Sequence, residues 1–193
     1  MDTPPVTGRR ERKKAATRRA IADAALRLFL ERGYDRVSVR DVAEAADVST
    51  TTLFKHFPSK EALVFDEEAD REAELVAVVR RRPAGQSVVE ALREHVLASW
   101  LPLAAHPLRA EFTELVESTP ALQEYYGRMW TRHTAALGAA IADDAGMERD
   151  DVACHALARF VLETPALTRG RKDLRGAVEE VFGLLAHGWR PPR

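Results

Sequence analysis

Residues 17–63 read TRRAIADAALRLFLERGYDRVSVRDVAEAADVSTTTLFKHFPSKEAL, and this stretch decides the fold. Its first part repeats apolar residues at i, i+3, i+4, i+7 and i+8, which is the pattern of a helix with one buried face. The series consists of Ile21, Ala24, Ala25, Leu28 and Phe29. Gly33 follows the series, and glycine is typical of a helix end because it can take the left-handed conformation. We therefore predict a helix that stops at Gly33.

Two further helices are predicted on either side of a tight turn. Ser38 can cap the first, with Asp41 three residues later resembling a capping box. Ser49 can cap the second. The turn between them consists of Asp47 and Val48, and a connection of two residues must be a tight turn. Two helices joined in this way, the second short and polar outside, are typical of a helix-turn-helix.

The outer face of the second helix suits DNA. Because Leu53 and Phe57 are spaced i and i+4 and face the core, Thr50 and Thr51 must point outward at the helix N-terminus, where base edges are usually met. Their hydroxyls can donate or accept, and their methyls can touch a thymine methyl. We assign base readout to these threonines and phosphate contacts to Arg40, Lys55, His56 and Lys60. The predicted DNA-binding residues are Arg40, Ser49, Thr50, Thr51, Lys55, His56 and Lys60.

At this point the chain resembles the tetracycline-repressor (TetR) family of bacterial transcription regulators. The resemblance covers roughly the first third of the chain. It rests on Thr17, Ile21, Ala24-Ala25, Leu28-Phe29, Gly33-Tyr34, Val37-Ser38-Val39, Val42-Ala43, Ala46, Val48-Ser49, Thr52-Leu53, His56-Phe57, Ser59-Lys60-Glu61 and Leu63. The resemblance implies an all-helical homodimer whose C-terminal domain binds a small effector. Effector binding would then change the spacing of the two DNA-reading heads.

Two positions depart from the family pattern. The turn position usually held by glycine is Asp47, and aspartate tolerates the left-handed region better than most residues. The tyrosine usually found after Leu53 is Phe54, which cannot donate a hydrogen bond to a phosphate. Capping and amphipathic stripes alone would also fit a plain helical bundle, but the density of matches favours DNA binding.

Composition and charge fit a DNA-binding protein of the cytoplasm. The 193-residue chain has a net charge of −1, yet residues 1–65 hold 13 Lys/Arg against 9 Asp/Glu, and the remainder hold 16 against 21. The single Cys154 excludes an intramolecular disulfide and suits a reducing compartment. We expect no signal peptide and no membrane span, because no apolar run approaches about 20 residues.

The N-terminal arm, residues 1–16, has two parts. We expect Met1 to Gly8 to be disordered, because this part is rich in proline and glycine and poor in apolar groups. Seven positively charged residues then follow, and Glu11 is the one negatively charged residue among them. They are Arg9, Arg10, Arg12, Lys13, Lys14, Arg18 and Arg19. Such a run can be a solvated tail, but its place before a helix-turn-helix favours contact with phosphates or the minor groove.

Residues 64–193 predict a second, helical domain for effector binding and dimerisation. The fourth helix is expected to run from Ser59 to about Val79, and further helices begin at Ser87 and Pro120. We expect Pro165 and Gly170 to separate the last two helices. The dimer interface is predicted on the wide apolar stripes of those two helices, although the stripes could instead face only their own core. Its residues would be Phe160, Val178, Val181, Phe182 and Leu185.

Aromatic residues concentrate in the middle helices, where an apolar pocket with a few polar groups would suit a small organic ligand. The predicted pocket residues are Trp100, Phe112, Tyr126, Met129, Trp130 and His133. Aromatic residues at helical spacing can equally belong to the core. No pair among His95, His106 and His133 is spaced i, i+3 or i+4, so we expect no metal and no cofactor.

The sequence therefore predicts an all-α, ligand-responsive, sequence-specific DNA-binding regulator. We expect a repressor that a small hydrophobic molecule releases from a palindromic operator. An enzyme is not expected, because the chain has no phosphate-binding glycine loop, zinc spacing or nucleophile elbow. The alternative is a helical dimeric interaction module with weakened DNA binding, which Asp47 and Phe54 would support.

Overall fold

In the computed structural model of the protein, residues 8–66 and 68–188 are described. All regular structure in these ranges is helical, which confirms the all-α prediction. The helices are α1 Arg9–Arg32, α2 Val39–Ala45, α3 Thr50–His56, a 3-10 helix Glu61–Leu63, α4 Glu68–Arg81, α5 Val88–Ala104, α6 Arg109–Ser118, α7 Pro120–Ala145, α8 Val152–Thr168 and α9 Leu174–His187.

Local sequence sets several helix ends as predicted. The Ser38 main-chain N–H donates to the Asp41 carboxylate across 2.7 Å, and the Asp41 N–H donates to the Ser38 hydroxyl across 3.2 Å, which completes the capping box of α2. The Ser49 hydroxyl accepts from the N–H of Thr52 at 3.1 Å and caps α3. Gly33 ends α1 with a φ of 84°, a conformation that favours glycine.

The N-terminal arm differs from its prediction. Helix α1 begins at Arg9, so the cationic second half of the arm is helical. Lysine, arginine and alanine are strong helix formers, and here they extend a helix that tertiary packing already holds further along. Gly8 is the N-cap of α1. The rest of the segment predicted to be disordered, residues 1–7, lies outside the described residues.

Two predicted helix boundaries are wrong. The segment from Ser59 to Val79 is not one helix, because the 3-10 helix Glu61–Leu63 precedes α4, which begins at Glu68. Pro165 does not end α8, which continues to Thr168. A proline removes only one main-chain hydrogen bond, so a well-packed helix can pass through it at a cost of about 3 kcal/mol.

Contacts divide the chain into two compact units. The N-terminal unit contains residues 1–66 and 111–123, and the C-terminal unit contains residues 67–110 and 124–193. The division therefore departs from the predicted boundary at residue 63 mainly in the segment 111–123. There the ring of Phe112 meets that of Phe65 edge-on, with 6.2 Å between centroids.

Each unit has its own apolar core. In the N-terminal unit, fully buried side chains from α1, α2 and α3 converge, among them Ile21, Phe29, Val42, Leu53 and Phe57. In the C-terminal unit, α5 packs against α4, α8 and α9, and α8 packs against α9. The core there includes Leu92, Leu137, Val161, Val178 and Phe182. No helix in the described part of the chain is long and apolar enough to cross a membrane.

Candidate nucleic-acid interface

The turn between α2 and α3 is a complete Schellman motif. The N–H of Asp47 donates to the carbonyl of Glu44 at 3.1 Å, and the N–H of Val48 donates to the carbonyl of Ala43 at 2.9 Å. Asp47 has a φ of 52°, so it takes the left-handed conformation that was predicted for this turn position. The turn is therefore kept without its usual glycine.

This turn presents one face of α3 to solvent. Leu53 and Phe57 are fully buried, whereas Thr50, Thr51 and Lys55 are exposed, as is the ring of Phe54. The hydroxyl of Ser49, which was predicted to contact DNA, is already engaged with the N–H and hydroxyl of Thr52. The exposed face thus offers two threonine side chains, one aromatic ring and one ammonium group to a ligand.

Lys60 has a different role from the predicted phosphate contact. Its Nζ donates to the main-chain carbonyl of Tyr34 at 2.7 Å, and lies 4.0 Å from the Tyr34 ring centroid and 5.6 Å from that of Phe29. The residue precedes a 3-10 helix of three residues, not the α-helix that was expected. Burial lowers the pKa of its ammonium group, although Asp35 and Glu61 act in the opposite direction. Lys60 therefore ties the 3-10 segment to α1 and its following loop.

His56 is half-buried at the end of α3. Its Nδ1 is buried and, among the described residues, has no hydrogen-bond partner. Burial, then the nearby charges of Arg18 and Lys14, lower the pKa of its imidazole. At neutral pH the ring is uncharged, so a contact with phosphate from this side chain would be a neutral hydrogen bond. Such a bond is weaker than a hydrogen bond from a charged group.

The guanidinium of Arg18, one of the seven predicted cations, is engaged within the protein. It donates to the main-chain carbonyl of His56 at 2.7 Å and also to that of Asp66. It lies 4.4 Å from the centroid of the Phe57 ring, within cation–π range. Arg18 therefore holds α1 against the end of α3.

The remaining predicted cations are exposed on α1, α2 and α3 of the N-terminal unit, and we call them together its basic surface. Arg40 on α2 and Lys55 on α3 are exposed. The other six of the seven predicted cations, also exposed, lie on the first three turns of α1. They are Arg9, Arg10, Arg12, Lys13, Lys14 and Arg19. Together with the open face of α3, this surface is suited to a polyanion.

Comparison with known proteins assigns the family. The model of "Bacterial regulatory proteins, tetR family" matches residues 21–66. The HTH-type transcriptional regulator TcmR of Streptomyces glaucescens is 32% identical over 156 residues, which cover 77% of this chain and 69% of TcmR. The chain belongs to the TetR family. It is therefore a DNA-binding transcription regulator and not an enzyme, as predicted.

Two further similarities extend over most of this TetR-family chain. The HTH-type transcriptional repressor Rv1474c of Mycobacterium tuberculosis is 31% identical over 148 residues, covering 72% of each chain. The crystal structure of the transcriptional regulator FadR from Bacillus subtilis in complex with stearoyl-CoA has a TM-score of 0.55 and 17% identity. That match covers 89% of this chain and 99% of the other. At this identity the structural likeness concerns the fold alone.

Five of the six predicted effector residues belong to the C-terminal unit of the TetR-family chain. Phe112 is the exception, because it packs within the N-terminal unit. The ring of Tyr126 stacks on that of Trp130 at 4.9 Å, and Trp130 lies 6.0 Å from His133. Met129 is buried, and buried Trp100 donates its indole N–H to the Thr168 hydroxyl at 3.2 Å.

His133 is the most enclosed polar group of this cluster. It is 2% exposed, and its Nε2 is buried without a hydrogen bond to any described residue. The nearest opposite charge is the Glu72 carboxylate, 3.9 Å from Nε2. Burial lowers the pKa of His133 more than Glu72 raises it. Sequence reasoning missed Glu72, because spacing along α7 carries no information about contacts with α4.

The predicted dimer residues separate into buried and exposed groups. Val178 and Phe182 are buried in the core of their own chain, so the prediction that they face a partner is wrong. Both point inward because α9 packs against α5 and α8. Val181 and Leu185 are half-buried. Phe160 is exposed, as are two leucines that the prediction omitted, Leu167 and Leu184.

Phe160, Leu167 and Leu184 define what we call the α8–α9 apolar face. Phe160 and Leu167 are seven residues apart and therefore lie on one side of α8. A surface depression of about 260 Å³ follows this side of the helix. It is lined by Ala156, Arg159, Phe160, Glu163 and Leu167. Single scattered apolar residues are normal on the surface of a monomeric protein, whereas Phe160 and Leu167 lie on the same side of one helix.

Proposed function

We propose that the protein is a dimeric repressor that binds a palindromic operator and releases it when a small apolar molecule binds. The observation that carries the proposal is the outward face of α3, which the Schellman turn at Asp47 and the cap at Ser49 hold open. A helix held in this way can enter the major groove, with Thr50 and Thr51 near the base edges.

The basic surface supports the electrostatic part of operator binding. Exposed Arg40 and Lys55 and the cations on the first turns of α1 would contact phosphates, which position the protein without reading sequence. Each neutralised phosphate releases counterions, so affinity should fall steeply with salt. Lys60 and Arg18 are excluded from this set, because their charged groups bind main-chain carbonyls.

The α8–α9 apolar face supports dimerisation. Phe160, Leu167 and Leu184 are about half exposed in the single chain, and burying them against a second copy would remove apolar area from water. A two-fold dimer reads a palindrome, with half-sites spaced by about 34 Å or a multiple of it. Repression would follow because the bound dimer excludes polymerase, and the related Rv1474c is named a repressor.

The aromatic cluster of the C-terminal unit supports an apolar effector. Tyr126 and Trp130 stack, and His133 adds one buried polar group beside them, which is the mixture that small-molecule sites use. FadR, which shares the fold, holds stearoyl-CoA in its structure. The effector would lower operator affinity by favouring a conformation in which the spacing of the two DNA-binding units does not match the operator. The size of this effect is limited by how much more tightly the effector binds that conformation than the operator-binding one.

The test is selection of bound fragments from a random duplex library with the full-length protein, followed by affinity measurements against salt. A selected palindrome with a steep salt dependence is the expected result. Failure to enrich any sequence would refute operator binding and would favour the helical interaction module instead. The intact turn at Asp47 supports operator binding over that alternative, because the geometry of the motif is kept.

A further inference from the structure

Phe54 is an exposed aromatic residue in the middle of the DNA-facing surface. Its side chain is 51% exposed, although the neighbouring Leu53 is fully buried. At about 100° per residue, Phe54 projects between Thr50 and Thr51 around the axis of α3. If this face of α3 enters the major groove, the Phe54 ring therefore lies beside the two threonine side chains.

The ring has no hydrogen-bonding group, which limits what it can bind there. Phosphates and the polar base edges would lose water against it without gaining a hydrogen bond. The apolar group that the major groove offers is the 5-methyl of thymine. We propose that Phe54 determines sequence specificity by packing against a thymine methyl in each half-site, which rests on the proposed operator binding.

The size of the effect follows from the burial of one methyl group. Replacing the thymine by deoxyuridine removes only that methyl and leaves base pairing and every polar edge unchanged. Affinity should fall about fourfold for one half-site and about fifteenfold when both half-sites of the palindrome are changed.

The experiment uses the selected operator, with each thymine replaced in turn by deoxyuridine. The wild-type protein should show one position per half-site at which the replacement weakens binding by this factor. Phe54→Ala should bind both duplexes equally at that position, and Phe54→Tyr, which keeps the ring, should retain the preference. The readout is a ratio between two duplexes, so it does not depend on the active fraction of each preparation.

Thr50→Ser and Thr51→Ser test the competing assignment, because each removes the methyl of a threonine beside Phe54 and keeps its hydroxyl. Neither should abolish the thymine-to-uracil ratio at the position that Phe54 contacts. The inference is overturned if Phe54→Ala keeps the wild-type ratio, if Thr50→Ser or Thr51→Ser abolishes it, or if no thymine of the operator matters to the wild-type protein. In each of these cases operator binding itself still stands, whereas the absence of any selected operator would remove both proposals.

Discussion

The ammonium group of Lys60 donates a hydrogen bond to the main-chain carbonyl of Tyr34 across 2.7 Å. It also faces the Tyr34 ring, so one cation serves as both a hydrogen-bond donor and a cation–π partner. Lys60→Met should lower the free energy of unfolding by about 1–2 kcal/mol, because both interactions are lost. The salt dependence of DNA binding should be unchanged. Urea unfolding and fluorescence anisotropy at several salt concentrations measure the two effects.

Lys55→Met is the control for this prediction, since Lys55 is exposed on α3. It should leave stability unchanged and lower the salt slope by about one phosphate contact. A flattened slope in Lys60→Met would return Lys60 to the phosphate contacts.

Substitutions at Asp47 should show how much the left-handed turn residue contributes to the stability of the protein. Asp47→Ala should destabilise the protein by about 1 kcal/mol, because the left-handed conformation at φ 52° is less favourable for alanine than for aspartate. Asp47→Gly should be at least as stable as the wild type. Chemical unfolding of the three proteins gives the comparison. Equal stability of the alanine and glycine variants would show that the turn relaxes to another conformation.

The exposed threonines of α3 should determine base preference. Thr51→Ala should change the preferred base at one position of each half-site by about 1–3 kcal/mol. Selection with the variant, followed by affinity measurements on single-base changes, measures this shift. If affinity falls by the same factor on every sequence, Thr51 acts on the backbone and not on bases.

The α8–α9 apolar face should hold the dimer. Phe160→Glu places a charge at a position that is 51% exposed in the single chain, so it should dissociate the dimer while leaving the fold intact. Met147→Glu is the matched control, because Met147 is also 51% exposed but lies between α7 and α8. Sedimentation velocity distinguishes the two states. A dimeric Phe160→Glu variant would exclude this face as the interface.

His133 should make stability depend on pH. Burial lowers the pKa of its imidazole in the folded chain, so the unfolded chain takes up a proton first, near the ordinary value of about 6.5. The stabilising contribution of neutral His133 is complete above that pH and decreases as pH falls towards the folded value. The free energy of unfolding should therefore decrease from pH 7 to pH 5.

His133→Leu should show a shallower decrease over the same range, with His56 and His95 supplying the remainder, since burial lowers the pKa of both. Unfolding by urea at several pH values measures the slopes. Equal slopes in the two proteins would mean that folding does not shift the pKa of His133. A steeper decrease in the variant would mean that pairing with Glu72 raises that pKa.

Much of the DNA-binding unit was predictable from the sequence because its determinants are local. The capping box at Ser38, the cap at Ser49 and the left-handed Asp47 all involve atoms within five residues along the chain. The same holds for the orientation of α3, since buried Leu53 places Thr50 and Thr51 outside. Residue types at short spacing are sufficient to specify such features.

The sequence by itself thus determined the caps of α2 and α3, the turn between them and the outward face of α3. Only the tertiary structure decided which cations remain on the basic surface. Arg18 binds the main-chain carbonyl of His56, which is 38 residues away in the sequence, and Lys60 binds that of Tyr34, which is 26 residues away. The tertiary structure also decided which apolar residues of α9 are buried in the core of their own chain, namely Val178 and Phe182. Whether a side chain faces water or a distant part of the chain depends on how the helices pack, and no periodicity along one helix contains that information.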